Sequence, residues 1–209
     1  MTTERRYTPG MVELRSAAGG TEPNTVRGYA AVFNKLSNDL GGPSYGFREL
    51  IQPGAFDDVL KDDVRALFNH DPNFILARSR DGSGTLKIGT DDTGLWYEFE
   101  PAQTNAGRDL LVSIKRGDVD QSSFAFTVGV DGEKWTEETK DGKPFVLRTI
   151  TKVARLYDVS PVTYPAYPDA SVAVRSLEKF REELAAKSTR NAVQTFPMRS
   201  QWAARLGVQ

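Results

Sequence analysis

Residues 122–130 read SSFAFTVGV, and this run of aromatic, small and β-branched residues predicts a β-strand that begins with two serines. Alternate residues of an extended strand share a face, so Ser122 lies on the same side as Phe124 and Phe126. Ser123 then lies on the opposite side, between small neighbours, and is the accessible hydroxyl if the phenylalanines face the core. A serine pair before a strand is also common in turns, so the pattern alone leaves a structural role open.

A nucleophilic serine needs a base, and the base works best when a third group holds its tautomer. The chain has one histidine, His70, just after a predicted strand over residues 64–68. Imidazole exchanges a proton near neutral pH, which suits this role; a lysine is the alternative base. For the third group, Asp158 lies in an apolar stretch, where a buried carboxylate needs a partner, although an outward-facing aspartate is equally compatible with the pattern. Asp71 is next to His70 in sequence, and neighbouring side chains seldom meet well.

The composition excludes several classes of protein. The 209 residues include no cysteine and one histidine, which rules out disulfides, thiolate metal sites, cysteine nucleophiles and multi-histidine zinc sites. The formal net charge of −1 gives no overall field that would gather nucleic acid or an anionic membrane surface. The acidic pairs at residues 57–58 and 62–63 lack the spacing of a calcium loop and indicate solvated charge.

The chain divides into three predicted parts. Residues 1–24 are rich in charge, glycine and threonine and are expected to form a flexible arm. Residues 25–175 alternate strand-like runs with a few short helices, such as one over 105–115, which indicates a β-rich α+β domain. Residues 176–209 are predicted to be a helical extension and tail, with apolar residues at helical spacing over 176–187. No secretory signal or bilayer-spanning apolar run is found, so a soluble protein is expected.

Five blocks of sequence, which fall in order between about residues 27 and 174, resemble the prohead (capsid maturation) serine protease family of tailed bacteriophages. Each block alone is a weak signal, but all five in order at plausible spacings form a specific pattern. The blocks are GYAAVFN at 28–34, ELIQPGAF at 49–56, NHDP at 69–72 followed by LAR at 76–78, SFAF at 123–126, and LYDVSPVTYPAY at 156–167.

The resemblance implies a fold similar to that of herpesvirus maturation proteases, a β-barrel surrounded by short helices. It also implies a catalytic pair of His70 and Ser123, in agreement with the face that strand alternation assigns to Ser123. The acidic position of the last block falls on Asp158, where family members often carry the longer glutamate. A second histidine cannot be the third member in a chain with one histidine, so a carboxylate must take that place. Arg78 and Arg155 are candidates for supporting the oxyanion loop.

The function implied by the resemblance is that of a serine endopeptidase without cofactors. Its substrates would be the major capsid protein, scaffolding segments and the protease itself, in the host cytoplasm and inside the immature capsid. Self-cleavage would be physically easiest in residues 1–24 and after residue 188, where an extended backbone can enter the site. The resemblance implies no nucleic-acid or membrane partner and allows a homo-oligomer. The alternatives are a non-catalytic module that docks capsid protein through its C-terminal helix, and a hydrolase of small esters or amides.

Overall fold

The computed structural model describes residues 3–9, 12–16, 23–40, 46–164 and 171–194. The chain divides into two compact units, Met1–Val172 and Ala173–Gln209. The predicted tail beyond residue 194 and the end of the last family block, at residues 165–167, lie outside the described residues.

The described residues of the first unit form thirteen strands in three sheets. A six-stranded sheet has the order β1-β10-β13-β5-β6-β7, a four-stranded sheet the order β2-β3-β9-β8, and a three-stranded sheet the order β11-β12-β4. The strands are β1 Glu4–Thr8, β2 Val12–Ser16, β3 Pro23–Val32, β4 Arg48–Ile51, β5 Val64–Phe68, β6 Asp71–Arg80, β7 Ser83–Gly84, β8 Leu86–Thr90, β9 Gly94–Phe99, β10 Gln121–Val128, β11 Glu133–Lys140, β12 Lys143–Ile150 and β13 Val153–Val162.

The β-rich α+β class is confirmed, but the described residues do not form the predicted closed barrel. Each sheet ends in strands that have a hydrogen-bonded neighbour on one side only, and β7, at one edge of the six-stranded sheet, is two residues long. Closing a barrel requires a continuous ladder between the edge strands, and β7 is too short to supply one. Two stretches of the predicted N-terminal arm, β1 and β2, are strands in these sheets.

Two short helical elements accompany the sheets of the first unit. Helix α1, Asn105–Arg116, lies where the sequence predicts it. The Thr104 side chain accepts the Gly107 N–H at its start, and Gly117, with φ +80°, ends it in the left-handed conformation that glycine adopts without strain. From the sequence, Pro53-Gly54 followed by apolar residues at helical spacing predicts a short helix, and the structure has a single 3₁₀ turn there, Asp57–Val59.

Helix α2, Ser171–Gln194, lies in the second unit from Ala173 onward and contains the predicted helical span 176–187. Among the described residues, no helix combines the length and apolar character needed to cross a membrane.

Strand β10 has side chains on both faces of its sheet, and one of these faces packs in the hydrophobic core. Phe124 and Phe126 are buried in the core, as the alternation predicts. Ser122 shares their face, and its hydroxyl lies 2.7 Å from the buried Tyr97 hydroxyl. A side chain at Gly28 would collide with both groups, because its Cβ would lie 2.5 Å from the Tyr97 ring and 2.9 Å from Ser122 Oγ. The Ser122 hydroxyl is therefore the hydrogen-bond partner of the buried Tyr97 hydroxyl in the core.

Strand β1 is fastened to the domain by a buried charge cluster, here called the charge clasp, which consists of Glu4, Arg6, Glu49, Glu133 and Arg148. The Arg6 guanidinium donates to both Glu49 carboxylate oxygens, at 2.7 and 2.8 Å, and to Glu4 at 2.8 Å. Arg148 donates to Glu4, Glu49 and Glu133 at 2.6–2.8 Å. These charge-assisted hydrogen bonds connect β1 to β4, β11 and β12.

The clasp favours the charged forms of Glu49 and Arg148 despite their burial. Burial by itself would raise the pKa of the Glu49 carboxyl, but the charges and hydrogen bonds of Arg6 and Arg148 outweigh it and lower the pKa. Burial would lower the pKa of Arg148, but the neighbouring carboxylates raise it overall. The clasp thus holds three carboxylates against two guanidinium groups, which leaves it one negative charge in excess.

Replacing Arg148 with methionine is expected to lower the free energy of unfolding by about 3–5 kcal/mol, because it leaves Glu4 and Glu49 buried with half of their counter-charge. Denaturant unfolding of the two proteins measures the difference. Arg5→Met, an exposed position on β1, is the control and should change stability by less than about 0.5 kcal/mol. A loss below about 1 kcal/mol for Arg148→Met would contradict the interpretation of the clasp as a stabilising structure.

Candidate active site

The structure brings together the three predicted catalytic residues, which are far apart in sequence. His70 Nε2 lies 2.6 Å from Ser123 Oγ, and His70 Nδ1 lies 2.6 Å from Asp158 Oδ1. All three side chains are buried, with His70 8% and Asp158 7% exposed. A hydroxyl, an imidazole and a carboxylate in this sequence of hydrogen bonds can activate the hydroxyl as a nucleophile and stabilise the imidazolium that forms.

His70 occupies a tight turn that aims its ring at the sheet. Asn69 and His70 are the two residues between β5 and β6, and both have positive φ, +55° and +58°, as a type I′ hairpin turn requires. Asparagine and histidine are among the non-glycine residues that most often adopt this conformation. From the sequence, the Asp71-Pro72 pair is a turn signal and predicts a turn at residues 71–72. The structure instead has both residues in β6, where Pro72 falls in an irregular stretch that has no partner on β5 and needs no ladder hydrogen bond.

The turn is anchored to the strand that carries Asp158. The Asn69 N–H donates to the Pro161 carbonyl at 3.1 Å, and the Asn69 side-chain oxygen accepts the Thr163 N–H at 2.9 Å. Both partners belong to the end of β13 and the residue just after it, so the imidazole and the carboxylate are held by one rigid connection. Such anchoring offsets the cost of two consecutive left-handed residues.

A β-bulge turns the Asp158 side chain toward His70. Ala125 pairs with Asp158 and Phe126 pairs with Leu156, which leaves Tyr157 as an extra residue in β13. In a regular strand Leu156 and Asp158 would share a face; the bulge lets Leu156 face the core while Asp158 joins the face of Ser123. The small Ala125 opposite Asp158 leaves room for the imidazole.

Ser160 is a fourth polar residue of the site, and the sequence reasoning did not single it out. It lies directly opposite Ser123 in the β10–β13 pair and is fully buried. Its hydroxyl donates to Asp158 Oδ1 at 2.7 Å and lies 3.3 Å from His70 Nδ1. Its position two residues after Asp158 was the available signal, since residues i and i+2 share a strand face.

The Ser160→Ala variant is expected to lose about tenfold in turnover. A hydrogen bond to a charged group contributes about 1.5–3 kcal/mol, and only part of this free energy changes the activation barrier. Single-turnover rates of wild type and variant measure the effect. Ser79→Ala, at another fully buried serine of the six-stranded sheet, controls for the loss of a buried hydroxyl. Equal rates for Ser160→Ala and wild type would show that the Ser160 hydroxyl does not position Asp158.

Ser123 is on the predicted face but is not accessible in this structure, because β1 covers it. The Ser123 side chain is fully buried, and its hydroxyl donates to the Arg6 carbonyl oxygen at 2.8 Å. The hydroxyl has one proton and two acceptors within reach, His70 Nε2 and the Arg6 carbonyl. It is ready for attack only when that proton points to His70. The sequence alone could not show this cover, since residue 6 and residue 123 are 117 positions apart.

The other residues considered from the sequence have different partners. Asp71 accepts hydrogen bonds from the Asn73 backbone and side chain, at 2.8 and 2.9 Å. Arg78 binds Asp63 through two hydrogen bonds of 2.6 and 2.7 Å, and this contact lowers the pKa of Asp63 to about 2. The Arg155 guanidinium lies over the Tyr157 ring, 5.0 Å from its centre. None of these contacts involves the side chains of His70, Ser123 or Asp158.

The acidic pairs at residues 57–58 and 62–63 are engaged in contacts within the protein. Asp58 binds Lys152 at 2.6 Å, and Asp62 accepts the Leu156 N–H at 3.0 Å. Within the described ranges, no group of three or more histidine, aspartate and glutamate side chains is arranged to hold a metal ion.

Comparison with known proteins finds a matching family and a similar solved structure. The family model described as caudovirus prohead serine protease matches residues 11–184. Among solved structures, the bacteriophage T4 capsid assembly protease, gp21, aligns over 78% of this chain and 97% of its own, with 14% identity and a TM-score of 0.45. None of the curated proteins compared with the chain matches it.

Proposed function

The chain belongs to the caudovirus prohead serine protease family, and on that premise we propose that it is a serine endopeptidase that cleaves capsid and scaffolding proteins within an immature phage shell. The observation that carries the proposal is the continuous set of hydrogen bonds Ser123–His70–Asp158, with both links at 2.6 Å. The arrangement joins a hydroxyl to the single imidazole of the chain and that imidazole to a buried carboxylate.

The reaction proceeds through an acyl-enzyme. Ser123 Oγ attacks the scissile carbonyl carbon while His70 Nε2 takes the serine proton and then gives it to the leaving amine. Asp158 accepts the Nδ1–H, holds the imidazole in the productive tautomer and stabilises the imidazolium, and Ser160 holds the Asp158 carboxylate. Backbone amides stabilise the oxyanion, and a water molecule activated by His70 releases the acyl group. No step needs a metal or an organic cofactor.

The substrates and the place of action come from the family. We infer that the major capsid protein and scaffolding segments are cleaved in the host cell, inside the immature capsid, and that the protease cleaves itself as well. Nucleic acid and membrane have no part in this reaction. A homo-oligomer is compatible with the mechanism, because all the proposed catalytic residues come from one chain.

Incubation of the protein with immature shells, followed by mass spectrometry, tests the proposal. The wild type should release defined fragments of capsid or scaffolding protein, and Ser123→Ala should release none. Ser122→Ala is the matched control, because that hydroxyl contacts Tyr97 rather than His70, and it should still cut. If Ser123→Ala trims the shells as the wild type does, the serine protease mechanism is wrong and a non-catalytic docking role gains support. If Ser123 reacts with a fluorophosphonate probe but shell proteins stay intact, the enzyme is a hydrolase of other substrates.

A further inference from the structure

The N-terminal strand places one particular peptide bond at the proposed nucleophile. Strand β1 pairs antiparallel with β10, with Tyr7 opposite Ser123. The Arg6 carbonyl, which belongs to the Arg6–Tyr7 peptide bond, accepts the Ser123 hydroxyl at 2.8 Å. An extended chain added to the edge of a sheet is a common mode of peptide recognition, in which the backbone supplies affinity and side-chain pockets supply specificity.

The side chain before that bond lies in a pocket built for a guanidinium. Arg6 makes two hydrogen bonds to the Glu49 carboxylate, and its guanidinium carbon lies 5.8 Å from the centre of the Phe126 ring. Glu49 is 3% exposed and Arg6 is 8% exposed, so the pair is shielded from water. A buried carboxylate that accepts two parallel hydrogen bonds from a planar guanidinium group favours arginine over lysine and over neutral side chains.

A second subsite lies two residues earlier. Glu4 shares the strand face of Arg6, and its carboxylate accepts two hydrogen bonds from Arg148, at 2.6 and 2.8 Å. Without β1 the clasp retains Glu49, Glu133 and Arg148, with one negative charge in excess. In the absence of β1, Glu49 offers its carboxylate to an incoming arginine and Arg148 offers its guanidinium to an incoming glutamate.

The cleft beside β1 is not filled by the strand. A cavity of about 530 Å³ is lined by residues 5–9 and by residues 35–38, together with Glu49. A strand in a cleft with this much free space can be exchanged for another extended segment, since its contacts depend on the backbone ladder and on the clasp.

We propose that β1 occupies the place of a peptide substrate, and that the enzyme cleaves extended segments that carry arginine immediately before the scissile bond and glutamate two residues earlier. Glu49 and Arg148 are the specificity-determining residues. The inference rests on the proposed endopeptidase function, whose nucleophile is Ser123, and the first substrate is the chain's own Arg6–Tyr7 bond.

In this self-cleavage, Ser123 Oγ bonds to the Arg6 carbonyl carbon and the bond from that carbon to the Tyr7 nitrogen breaks. His70 passes the serine proton to the Tyr7 nitrogen, which becomes a free amine. Water then hydrolyses the ester, so that Arg6 ends in a carboxylate and the Ser123 hydroxyl is restored.

The test follows the purified full chain over time by intact mass and by identification of new N-termini. The wild type should lose residues 1–6 and gain Tyr7 as its N-terminus. Arg6→Gln and Glu49→Gln should slow this cut by at least about 100-fold, because each leaves a buried charged partner unsatisfied. Arg15→Gln, at an exposed arginine of β2, and Glu98→Gln, at a half-buried carboxylate of β9, are matched controls and should cut within about threefold of the wild-type rate.

If Glu49→Gln fails to fold, cleavage of a peptide added in trans tests the same inference. The processed wild-type enzyme should cleave a peptide of residues 3–11 and should cleave its counterpart with glutamine in place of Arg6 at least about 100-fold more slowly. Equal cleavage of the two peptides overturns the inference.

Reaction of Ser123 with a fluorophosphonate probe separates this inference from the proposed function. If the probe labels the wild type but not Ser123→Ala, and the chain is cut elsewhere or stays intact, the inference is wrong while the serine enzyme stands. If the probe labels Ser123 neither in the full chain nor in protein that lacks residues 1–6, and no fragment forms, both fail together.

Discussion

The His70→Gln variant is expected to lose about 10⁵- to 10⁶-fold in turnover, since the base and the nucleophile of a catalytic triad act as one unit. Glutamine can retain a hydrogen bond to Ser123 but cannot take its proton and return it to the leaving amine. No other histidine is present in the chain to replace it. The rate of capsid fragment formation under single-turnover conditions measures the loss.

A mechanism with a lysine base predicts a different outcome. In that case His70→Gln would retain nearly full activity, and the assignment of the base to His70 would be wrong. Asn73→Gln is a suitable control, because Asn73 lies on the same hairpin and is exposed. Its backbone and side-chain nitrogens both donate to Asp71 rather than to a proposed catalytic residue. It should leave the rate within about threefold of wild type.

The Asp158→Asn variant is expected to lose about 10⁴-fold in turnover with little change in stability. An asparagine amide can present its NH₂ group to His70 Nδ1 and thereby favour the tautomer whose proton is on Nε2, where it blocks uptake of the Ser123 proton. It also removes the negative charge that stabilises the imidazolium. Single-turnover rates of fragment formation for the two proteins measure the loss, and denaturant unfolding measures the stability.

Asp71→Asn is the matched control, since Asp71 is the sequence neighbour of His70 and was the other carboxylate considered for the third role. Its carboxylate bonds to Asn73 in the structure, so the substitution should change turnover by less than about threefold. A large loss for Asp71→Asn together with a small one for Asp158→Asn would exchange the two assignments. Asp158→Glu, which keeps a carboxylate at this position, should retain more activity than Asp158→Asn.

The local features of the fold could be predicted from the sequence because they depend on neighbouring residues. Helix α1 follows from its apolar spacing, its Thr104 cap and its Gly117 stop. The different environments of Ser122 and Ser123 follow from strand alternation, and the structure indeed places only Ser123 beside His70. The choice of Asp158 as the candidate third residue needed the family resemblance in addition, because the bulge at Tyr157 breaks the alternation that would assign its face.

The features that could not be predicted depend on contacts between distant residues. Glu4 and Arg6 resemble surface charges in a loose arm, and only the partners Glu49 and Arg148, up to 144 positions away, explain their burial. The open edges of the three sheets, in place of a barrel, likewise depend on how strands far apart in sequence pair. Such contacts leave no periodic signal in the segments themselves.

The order of the strands along the chain has a consequence for the timing of assembly. During synthesis β1 leaves the ribosome first, β10 follows, and β13 comes last of the three, yet β10 lies between the other two in the sheet. Strand β1 can therefore settle against Ser123 before the segment with Asp158 and Ser160 has been made. A nascent chain in which β1 has paired with β10 therefore has Ser123 covered before all three proposed catalytic residues have been synthesised.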